Sequence, residues 1–512
     1  MISLRSRLEG RWVEGEGKEI ALRDPTSGEV VATARAAGSD LGRALAFARD
    51  TGGPRLRAMP FVARAAILEG LAGAVHGARD ELIELSRRSG GTTRSDAKFD
   101  IDGASATLQA YAVLGRSLGE RTFLLDGEAE GVLRSKRFVA QHLLVPRRGV
   151  AVHINAFNFP AWGMAEKAAV AWLAGMPVLS KPATSTSPLA VRIAELWVDT
   201  GLLPEGAFNL LVGPAGDLLD HLGPQDNVAF TGGSETARQV KGHPSVVAHN
   251  VRVNVEADSL NVSILGPDVA PGSDTFQMFV NDAVRDLTQK AGQKCTAVRR
   301  IFVPTALADD AVAALVDRLS RVRVGNPAAR DTDVGPVASD AQRASVEQGL
   351  AALEEVAVRV WRADAPEGGA FVSPSLYRTD AGRDASVVHE REVFGPVATV
   401  VPYTGEGDEA VSLAARGGGG LVASVYSDDP AWAGPVVLGL APWHGRIHWG
   451  SQKVHDQSPG PGTVLPTLVH GGPGRAGGGE ELGGLRGLQF YMQRTAVQAD
   501  RGLLDRVLGA SA

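Results

Sequence analysis

Short apolar strands alternate with helical segments over residues 149 to 256, and this rhythm limits the fold more than any other feature of the sequence. The predicted strands span 149–155, 178–181, 208–212, 227–230 and 251–255. The predicted helices lie between them at 162–174, 190–200 and 216–221. Such alternation predicts a parallel α/β sheet, in which ligands bind where the carboxyl ends of strands meet the amino ends of helices.

The segments on either side of this sheet have patterns of their own. Apolar residues recur at helical spacing from 40 to 119, and short β-like runs between 120 and 147 predict a hairpin arm. A second α/β segment is expected from 256 to 455, with a helix at 310–319 and a strand at 397–401. Eight glycines fall between 471 and 484, too many for the interior of a helix or strand, so composition predicts a surface loop there.

Charge and composition exclude several classes of protein. The 512 residues carry 52 Lys and Arg against 58 Asp and Glu, a net charge of −6, so we expect no nucleic-acid partner and no anionic membrane surface. No uncharged run reaches membrane-spanning length, and the charged amino terminus differs from a signal peptide. Because the chain has one cysteine, it forms no internal disulfide, and we expect a cytoplasmic protein.

That one cysteine lies in a context that favours chemistry over packing. Cys295 follows Gly292, Gln293 and Lys294 and precedes Thr296, all of them small or polar. An unperturbed thiol with a pKa of about 8.5 is only about 3% thiolate at pH 7, so a nucleophilic cysteine needs a base or a positive field. We expect the Lys294 cation to help lower the pKa of the Cys295 thiol.

Several motifs occur in one characteristic order along the chain. They are Asn155-Ala156-Phe157-Asn158-Phe159-Pro160, Lys181-Pro182-Ala183, Phe230-Thr231-Gly232-Gly233-Ser234-Glu235, Glu256, Gly292-Gln293-Lys294-Cys295 and Glu392-Val393-Phe394-Gly395-Pro396. In this order they resemble the aldehyde dehydrogenase superfamily over nearly the whole chain.

The resemblance implies an α/β aldehyde dehydrogenase fold with three parts. A Rossmann-like cofactor domain is expected over 1–120 and 146–255, and an α/β catalytic domain over 256–470. A small β oligomerisation arm and tail are expected at 121–145 and 485–512, which implies a homodimer.

The resemblance also implies the catalytic residues. Cys295 matches the nucleophile that attacks an aldehyde carbon, and Asn158 matches the oxyanion donor, an effect of about 3 to 4 kcal/mol per donor. Glu256 matches the base that deprotonates water for thioester hydrolysis. The family's Glu-Leu-Gly-Gly-Lys-Ser becomes Glu256-Ala257-Asp258-Ser259-Leu260 here, so the loop after this base departs from the pattern. No metal is expected.

Cofactor residues follow from the same resemblance. Lys181 matches the lysine that reaches the adenosine ribose or its phosphate, and the Gly232-Gly233 pair precedes a helix amino terminus suited to pyrophosphate. Glu392 matches the carboxylate that holds the nicotinamide ribose, and Phe394 the ring beside the nicotinamide. Phe157, in the first motif, is assigned to the same site.

One position bears on the choice between the two dinucleotides. Thr184 stands where many NAD-using members carry a glutamate that binds the ribose hydroxyls. A carboxylate about 4 Å from a 2′-phosphate costs on the order of 4 kcal/mol at an effective dielectric near 20. Thr184 and Ser185 offer neutral hydroxyl donors instead, so NADP is expected to be preferred, with NAD as a weaker alternative.

The carboxyl-terminal sequence narrows the range of expected substrates. Residues 470–475, 480–484 and 491–495 resemble the family members that oxidise CoA-linked semialdehydes with NADP in aromatic catabolism, including phenylacetate and benzoate degradation. The resemblance favours 3,4-dehydroadipyl-CoA semialdehyde as substrate and, because Glu256 is present, a free acid as product. The loop at 453–466 is expected to line the tunnel mouth, with His455 as a candidate substrate contact.

The sequence also allows other functions. A general aliphatic or aromatic aldehyde dehydrogenase shares the same motifs. A cysteine hydrolase or thioesterase requires a histidine beside Cys295, and no histidine lies in its motif. A non-catalytic binding protein and a single-thiol redox sensor are the remaining alternatives.

Overall fold

The computed structural model describes residues 2–132, 134 and 136–509; residues 133 and 135 of the predicted arm and 510–512 of the predicted tail lie outside the described part. The helices of the described residues are α1 (Leu41–Phe47), α2 (Gly53–Ala58), α3 (Phe61–Gly77), α4 (Arg79–Gly90), α5 (Arg94–Leu118), α6 (Trp162–Ala174), α7 (Ser187–Asp199), α8 (Ser234–Lys241), α9 (Pro244–His249), α10 (Asp274–Thr288), α11 (Ala308–Leu319), α12 (Asp340–Glu354), α13 (Ser386–Glu390), α14 (Gly407–Ala415), α15 (Pro430–Leu440), α16 (Leu485–Tyr491) and α17 (Arg501–Leu508).

The strands are β1 (Ile2–Ser3), β2 (Ser6–Leu8), β3 (Arg11–Val13), β4 (Gly15–Arg23), β5 (Val30–Ala37), β6 (Leu124–Gly131), β7 (Phe138–Pro146), β8 (Ala151–Ile154), β9 (Val178–Lys181), β10 (Phe208–Leu210), β11 (Asn227–Thr231), β12 (Arg252–Glu256), β13 (Val262–Leu265), β14 (Arg300–Pro304), β15 (Val358–Arg362), β16 (Ser375–Arg378), β17 (Val397–Tyr403), β18 (Gly420–Tyr426), β19 (His444–Gly450), β20 (Val469–Gly472), β21 (Gly479–Leu482) and β22 (Met492–Asp500).

The alternating segment forms a seven-stranded sheet in the order β12-β11-β8-β9-β10-β2-β3, and its members from β8 to β12 pair in parallel. Strands of this kind are apolar throughout because helices cover both faces. Val152 of β8 lies between Leu179 and Val228 of the neighbouring strands, and all three are buried. The five strands predicted from the sequence are therefore confirmed.

One predicted helix of this segment is wrong. Residues 216–221 contain only a short 3₁₀ turn, Leu218–His221. Gly213 and Gly216 have φ values of 85° and 56°, in the left-handed region that a right-handed helix cannot continue through. The chain therefore turns tightly toward β11 instead of forming a helical crossover.

Helix α6 anchors the sheet to the helical layer. It contacts β8 and β9 as well as α3 and α5, and nearly all of its residues are buried. Its amino terminus is capped from α5, because the backbone N–H of Trp162 donates to Asp100 Oδ1 at 2.8 Å. This buried carboxylate also lies 3.8 Å from Lys290 Nζ, so it links both helices to the segment before Cys295.

A second sheet follows in the order β15-β16-β17-β14-β13-β18-β19, parallel except for β15. The helix expected at 310–319 lies in α11, and the strand expected at 397–401 lies in β17. Residues 257–261 join the last strand of the first sheet to β13 of the second. The link between the two sheets therefore starts directly after Glu256.

The predicted hairpin arm is present as β6 and β7, and β22 from the carboxyl-terminal tail joins it. Met492 pairs with Pro146 and Asp500 with Phe138, so the tail strand pairs within its own chain. The strand predicted from Gln489 is wrong over its first residues, because Gln489 to Tyr491 end α16. Burial of Leu488 and Tyr491 at helical spacing outweighs the alternating pattern there.

The glycine-rich segment is not a surface loop, so that prediction is wrong. Strands β20 and β21 form an antiparallel hairpin, and His470, Gly471 and Gly472 are buried. A Cβ on Gly471 would lie 2.0 Å from the carbonyl oxygen of Gly479, and one on Gly472 would lie 2.2 Å from that of Gly420. These glycines are needed because the backbones pack too closely for side chains.

Among the described residues, no single helix combines the length and apolarity needed to cross a membrane. One bent pair, Leu41–Ala58 with Phe61–Gly77, passes by length and composition only when its two members are counted together.

Candidate active site

The predicted site residues gather where parallel strands of the first sheet end. Lys181 ends β9 and Glu256 ends β12, while Asn158 follows β8 by four residues. Because parallel strands present their carboxyl ends at one edge, residues far apart in the chain meet there. Asn158, Glu256 and Cys295 border the same two cavities.

A strained segment places Cys295 at this edge. Lys290 and Ala291 have φ values of 54° and 52°, in the left-handed region that non-glycine residues seldom adopt. Gly292 follows with φ 67°, and a Cβ on it would lie 2.2 Å from the carbonyl oxygen of Gly395. Such strain persists only where the surroundings enforce it, and it is common at active sites.

The link after Glu256, which departs from the family pattern, holds the cysteine from the other side. Asn261 donates from Nδ2 to the carbonyl oxygen of Cys295 at 2.8 Å. Ser259 donates its hydroxyl to Asn261 Oδ1 at 2.6 Å and its backbone N–H to Glu392 Oε2 at 3.1 Å. This loop therefore positions both Cys295 and Glu392.

The Cys295 thiol faces a histidine and a carboxylate. Its Sγ lies 3.7 Å from Nε2 of His470, and that Nε2 lies 3.2 Å from Oε1 of Glu256. Burial raises the pKa of the thiol well above its ordinary value, and the negative charge of Glu256 adds to the rise. The surroundings therefore disfavour a free thiolate.

The pKa values of the two neighbours move in opposite directions. Burial alone would raise the pKa of Glu256, but the charge and hydrogen bond of His470, with the charge of Lys167, together outweigh it and lower that pKa. Burial alone would lower the pKa of His470, but the charge and hydrogen bond of Glu256, with the charge of Glu166, together outweigh it and raise that pKa. Each group therefore stabilises the charged form of the other.

Lys294 does not act as predicted. Its ammonium donates to Asp286 Oδ1 at 2.6 Å and to Gln289 Oε1 at 2.9 Å, so its charge is neutralised within the core. The expectation that Lys294 lowers the pKa of Cys295 is wrong. Adjacency in sequence did not bring this cation to the sulfur.

A first cavity beside Cys295 is rich in aromatic side chains. Phe99, Phe159 and Trp162 border it, together with Val464 from the predicted tunnel loop. The rings meet edge to face, with centroids 5.2 Å apart for Phe99 and Trp162 and 5.9 Å apart for Phe159 and Trp162. This apolar surface suits the carbon chain of an aldehyde.

His455 lies away from this cavity. It is exposed on the same loop, where its Nδ1 lies 2.8 Å from the carbonyl oxygen of Gln452. Gly462 and Val464 are the loop residues that border the cavity at Cys295. The structure therefore gives His455 no contact with the reacting centre.

A second and larger cavity of about 560 Å³ opens on the other side of Cys295. Most of the residues predicted to bind cofactor border it: Phe157, Lys181, Thr184, Gly232, Gly233, Glu392 and Phe394. Ser185, the remaining predicted cofactor residue, is not among the side chains that border it. Volume and lining fit a dinucleotide.

The chemistry of the lining supports this fit. Lys181 Nζ donates to the carbonyl oxygen of Pro182 at 3.2 Å, and burial lowers the pKa of this ammonium. Burial raises the pKa of Glu392 to about 7, although the guanidinium of Arg299 lies 3.5 Å away. The ring of Phe394 packs between Phe157 and Arg299. A cation, a carboxylate and two rings are therefore available to one ligand.

The helix amino terminus predicted for pyrophosphate already has a partner. Gly232 and Gly233 precede α8 as predicted, but the backbone N–H of Ser234 donates to Asp258 Oδ1 at 3.0 Å. Asp258 comes from the departing loop and acts as a helix cap. One N–H of this terminus is therefore already bonded to a side chain.

Charged side chains are buried behind Glu256. Lys167 lies 3.0 Å from Oε2 of Glu481 and 3.5 Å from Oε1 of Glu166, and Glu166 also borders the aromatic cavity. Burial raises the pKa of Glu166 to about 7. This cluster surrounds the far side of Glu256 with groups that can exchange protons.

Sequence reasoning missed two residues of this site. His470 reaches Cys295 from 175 positions away, and its place at the head of the glycine-rich run was the available signal. Asp258 was visible only as a departure from the family motif. Both depend on backbone approaches that a sequence pattern does not encode.

Known proteins resemble this chain over nearly its whole length. The family model described as Aldehyde dehydrogenase family matches residues 12–497. The chain is 45% identical over 481 residues to the 3,4-dehydroadipyl-CoA semialdehyde dehydrogenase of Aromatoleum evansii, covering 92% of this chain and 93% of that protein. It is 28% identical to the betaine aldehyde dehydrogenase of Bacillus subtilis, covering 95% of each chain.

A solved structure shows the same architecture. The NAD-dependent aldehyde dehydrogenase from Sinorhizobium meliloti superposes with a TM-score of 0.84 at 24% identity, covering 98% of this chain and 95% of that one. This likeness confirms the predicted α/β fold class.

Proposed function

The chain belongs to the aldehyde dehydrogenase family, as its motifs predicted, and on that premise we propose that it oxidises a CoA-linked semialdehyde to the free acid with NADP. One observation carries the proposal: Cys295, Glu256 and Asn158 stand between an aromatic cavity and a cavity large enough for a dinucleotide. The 45% identical relative supports 3,4-dehydroadipyl-CoA semialdehyde as the substrate.

The first chemical step forms a bond between sulfur and carbon. The Cys295 thiolate attacks the aldehyde carbon, and the carbonyl oxygen becomes an oxyanion. Asn158 donates one N–H of its amide to the carbonyl oxygen of Gln293 at 3.0 Å, and the amide carries a second N–H for the oxyanion. The strained segment before Cys295 keeps the sulfur at this position throughout.

When bound, a nicotinamide cofactor would supply the hydride acceptor that oxidation of this adduct to a thioester requires. Lys181 and Thr184 would hold its adenosine side, and Glu392 and Phe394 its nicotinamide side. The aromatic cavity excludes water from the substrate chain while these contacts form.

The second half of the reaction releases the acid. Glu256 takes a proton from a water molecule, the water oxygen bonds to the thioester carbon, and the carbon–sulfur bond breaks. Sulfur leaves as the Cys295 thiolate, and the acid keeps its CoA handle. Depression of its pKa keeps Glu256 ionised at neutral pH, as a base must be.

We expect Thr184→Glu to weaken NADP binding at least tenfold while NAD binding changes by less than threefold. The added carboxylate would face the 2′-phosphate, and charges about 4 Å apart interact by on the order of 4 kcal/mol at an effective dielectric near 20. Titration of each dinucleotide by protein fluorescence measures the effect. Thr184→Gln is the uncharged control of similar size, and equal losses for both cofactors in Thr184→Glu would remove Thr184 from the 2′-phosphate site.

Product analysis tests hydrolysis against transfer to a second CoA. We expect substrate, NADP and enzyme in ¹⁸O-labelled water, without free CoA, to yield an acid that carries one label per turnover by mass spectrometry. Product formation only after free CoA is added, as a new thioester, would show an acylating enzyme. Free aliphatic and aromatic aldehydes, offered in parallel, test the broader aldehyde dehydrogenase alternative.

A cysteine hydrolase is the second candidate, because His470 lies 3.7 Å from the Cys295 sulfur. Such an enzyme would cleave a thioester without a dinucleotide. Turnover of a CoA thioester in the absence of NADP and NAD therefore separates it from the proposed oxidation.

The roles of the domains and the oligomeric state complete the proposed organisation of the chain. We propose that 1–120 with 146–255 binds the cofactor, that 256–470 carries the chemistry, and that the arm and tail mediate a cytoplasmic homodimer. The edge position of β22 in the arm sheet supports the dimer, because edge strands are usually covered.

A further inference from the structure

The reaction proposed above needs a thiolate, yet the surroundings of Cys295 disfavour one. The sulfur is close to Glu256, and Glu166 and Glu392 add negative charge at longer range. A thiolate formed by direct proton transfer to solvent would stand beside these carboxylates, and the charges of Lys290, Arg299 and Arg446 do not offset them. A group that both accepts the proton and keeps its positive charge next to the sulfur removes this difficulty.

His470 is placed by rigid backbone rather than by a loop. It lies on β20, which pairs with β21, and β21 packs on the strand that carries Glu256. A Cβ on Gly479 would lie 2.5 Å from the carbonyl oxygen of Val255, so the hairpin lies directly on that strand. The imidazole therefore has a fixed position between the sulfur and the carboxylate.

The distances suit a proton relay of two contacts. His470 Nε2 lies 3.7 Å from Cys295 Sγ, within reach of an S–H donor, and 3.2 Å from Glu256 Oε1. The same ring nitrogen faces both groups, so a proton received from sulfur is at once beside the carboxylate. His470 is buried, which strengthens each of these contacts.

We propose that His470 is a catalytic residue of the oxidation proposed above: its Nε2 accepts the Cys295 thiol proton, and Glu256 stabilises the resulting imidazolium. The S–H bond breaks, its electron pair stays on sulfur, and an N–H bond forms on the imidazole. No oxidant or reductant takes part. Glu256 then keeps its second task, the activation of water, after the imidazolium has released its proton.

The charges that face His470 support both the uptake of the proton and its later release. Glu256 and Glu166 favour the imidazolium, while Arg446 opposes it, and the raised pKa of His470 shows that the carboxylates prevail. Lys167 and Glu481 adjoin Glu166, so a buried path of ionisable groups continues away from the sulfur. The proton can therefore leave before deacylation.

Alkylation of the thiol tests the proposal without any aldehyde. Because Cys295 is the only cysteine of the chain, every thiol signal with iodoacetamide belongs to it. In the wild type, where His470 takes up the proton as the sulfur attacks, we expect a rate that depends only weakly on pH around neutrality. His470→Gln replaces the imidazole by an amide of similar reach that accepts no proton. For this variant we expect an alkylation rate at pH 7 at least tenfold lower than that of the wild type. The rate should then rise about tenfold per pH unit toward alkaline pH.

Matched variants distinguish loss of proton acceptance by His470 from loss of folding. His444→Gln removes another buried imidazole, one whose Nδ1 lies 3.2 Å from the carbonyl oxygen of Leu440, and it should alkylate at the wild-type rate. If the His470→Gln protein unfolds at a lower temperature than the wild type, His470→Asn is the second test variant. Wild-type alkylation at pH 7 in a folded His470→Gln protein would overturn the assignment, whether or not Glu256→Gln is slowed.

Single-turnover kinetics then connect the thiol to the reaction. His470→Gln should slow the burst of reduced cofactor at least tenfold without changing its amplitude, since the thiolate forms less often but still reacts. An unslowed burst would overturn the proposal. If the alkylation result holds but no aldehyde is oxidised even by the wild type, the proposed function fails while the activation of Cys295 by His470 stands.

Discussion

Cys295→Ala should abolish aldehyde-dependent reduction of NADP, with a loss of about 10,000-fold or more, because no bond to the substrate carbon can form without the sulfur. The dissociation constant of NADP should stay within about threefold of the wild type. Alanine removes one small side chain from the wall of a cavity that many other residues line. Absorbance at 340 nm measures turnover, and protein fluorescence measures cofactor binding.

Cys295→Ser is the companion variant. It keeps the size of the side chain but replaces the thiol by a hydroxyl, which does not ionise near neutral pH and is a far weaker nucleophile. We expect it to be as inactive as the alanine variant. Turnover above a hundredth of the wild-type rate in both variants would remove the covalent step from the mechanism.

Glu256→Gln should separate the two halves of the reaction. We expect one equivalent of reduced cofactor per site in a burst, followed by steady-state turnover slowed about 100-fold to 10,000-fold, the usual contribution of a general base. The acyl enzyme should accumulate, because the amide cannot accept the proton of the attacking water. Rapid-mixing absorbance gives the burst, and intact-protein mass spectrometry detects the thioester.

Glu480→Gln is the control for this change. It removes a carboxylate from the same hairpin as His470, but its side chain is exposed, so both phases should match the wild type. If the Glu256→Gln protein lacks the burst, the carboxylate acts before hydride transfer and belongs to cysteine activation or to the scaffold. A burst followed by normal turnover would show that another group deprotonates the water.

Much of the first sheet could be predicted because each strand is a short apolar run closed by turn residues. Val178–Lys181 and Asn227–Thr231 are examples, since burial on both faces leaves no alternation to confuse with a helix. The residues at the strand ends then define the site. The family resemblance assigned Lys181, Glu256 and Asn158 to the site, and the parallel sheet explains why these positions lie at one edge.

The glycine-rich hairpin could not be predicted from local preference. Glycine weakens an isolated strand, so composition predicts a loop. In the folded chain those glycines let β20 approach Gly420 and Gly445, where any side chain would clash. The contact between His470 and Cys295 depends on that approach, so the site could not be completed from sequence.

Asp258 shows a second limit of sequence reasoning. The Gly232-Gly233 pair predicts an open helix amino terminus, and that terminus is present. Its N–H group is already bonded to a carboxylate 24 positions further along the chain. Whether a helix end is free or capped depends on tertiary contacts, which strand and helix patterns do not contain.

The most direct test is absorbance at 340 nm with purified protein, NADP or NAD, and a panel of aldehydes that includes a CoA-linked unsaturated semialdehyde. We expect rapid reduction of NADP with the CoA-linked aldehyde, slower reduction of NAD, and little turnover of free aliphatic aldehydes. Reduction with free aldehydes alone would keep the chemistry at Cys295 and discard the CoA-linked substrate. No reduction of either dinucleotide with any aldehyde would refute the proposed oxidation.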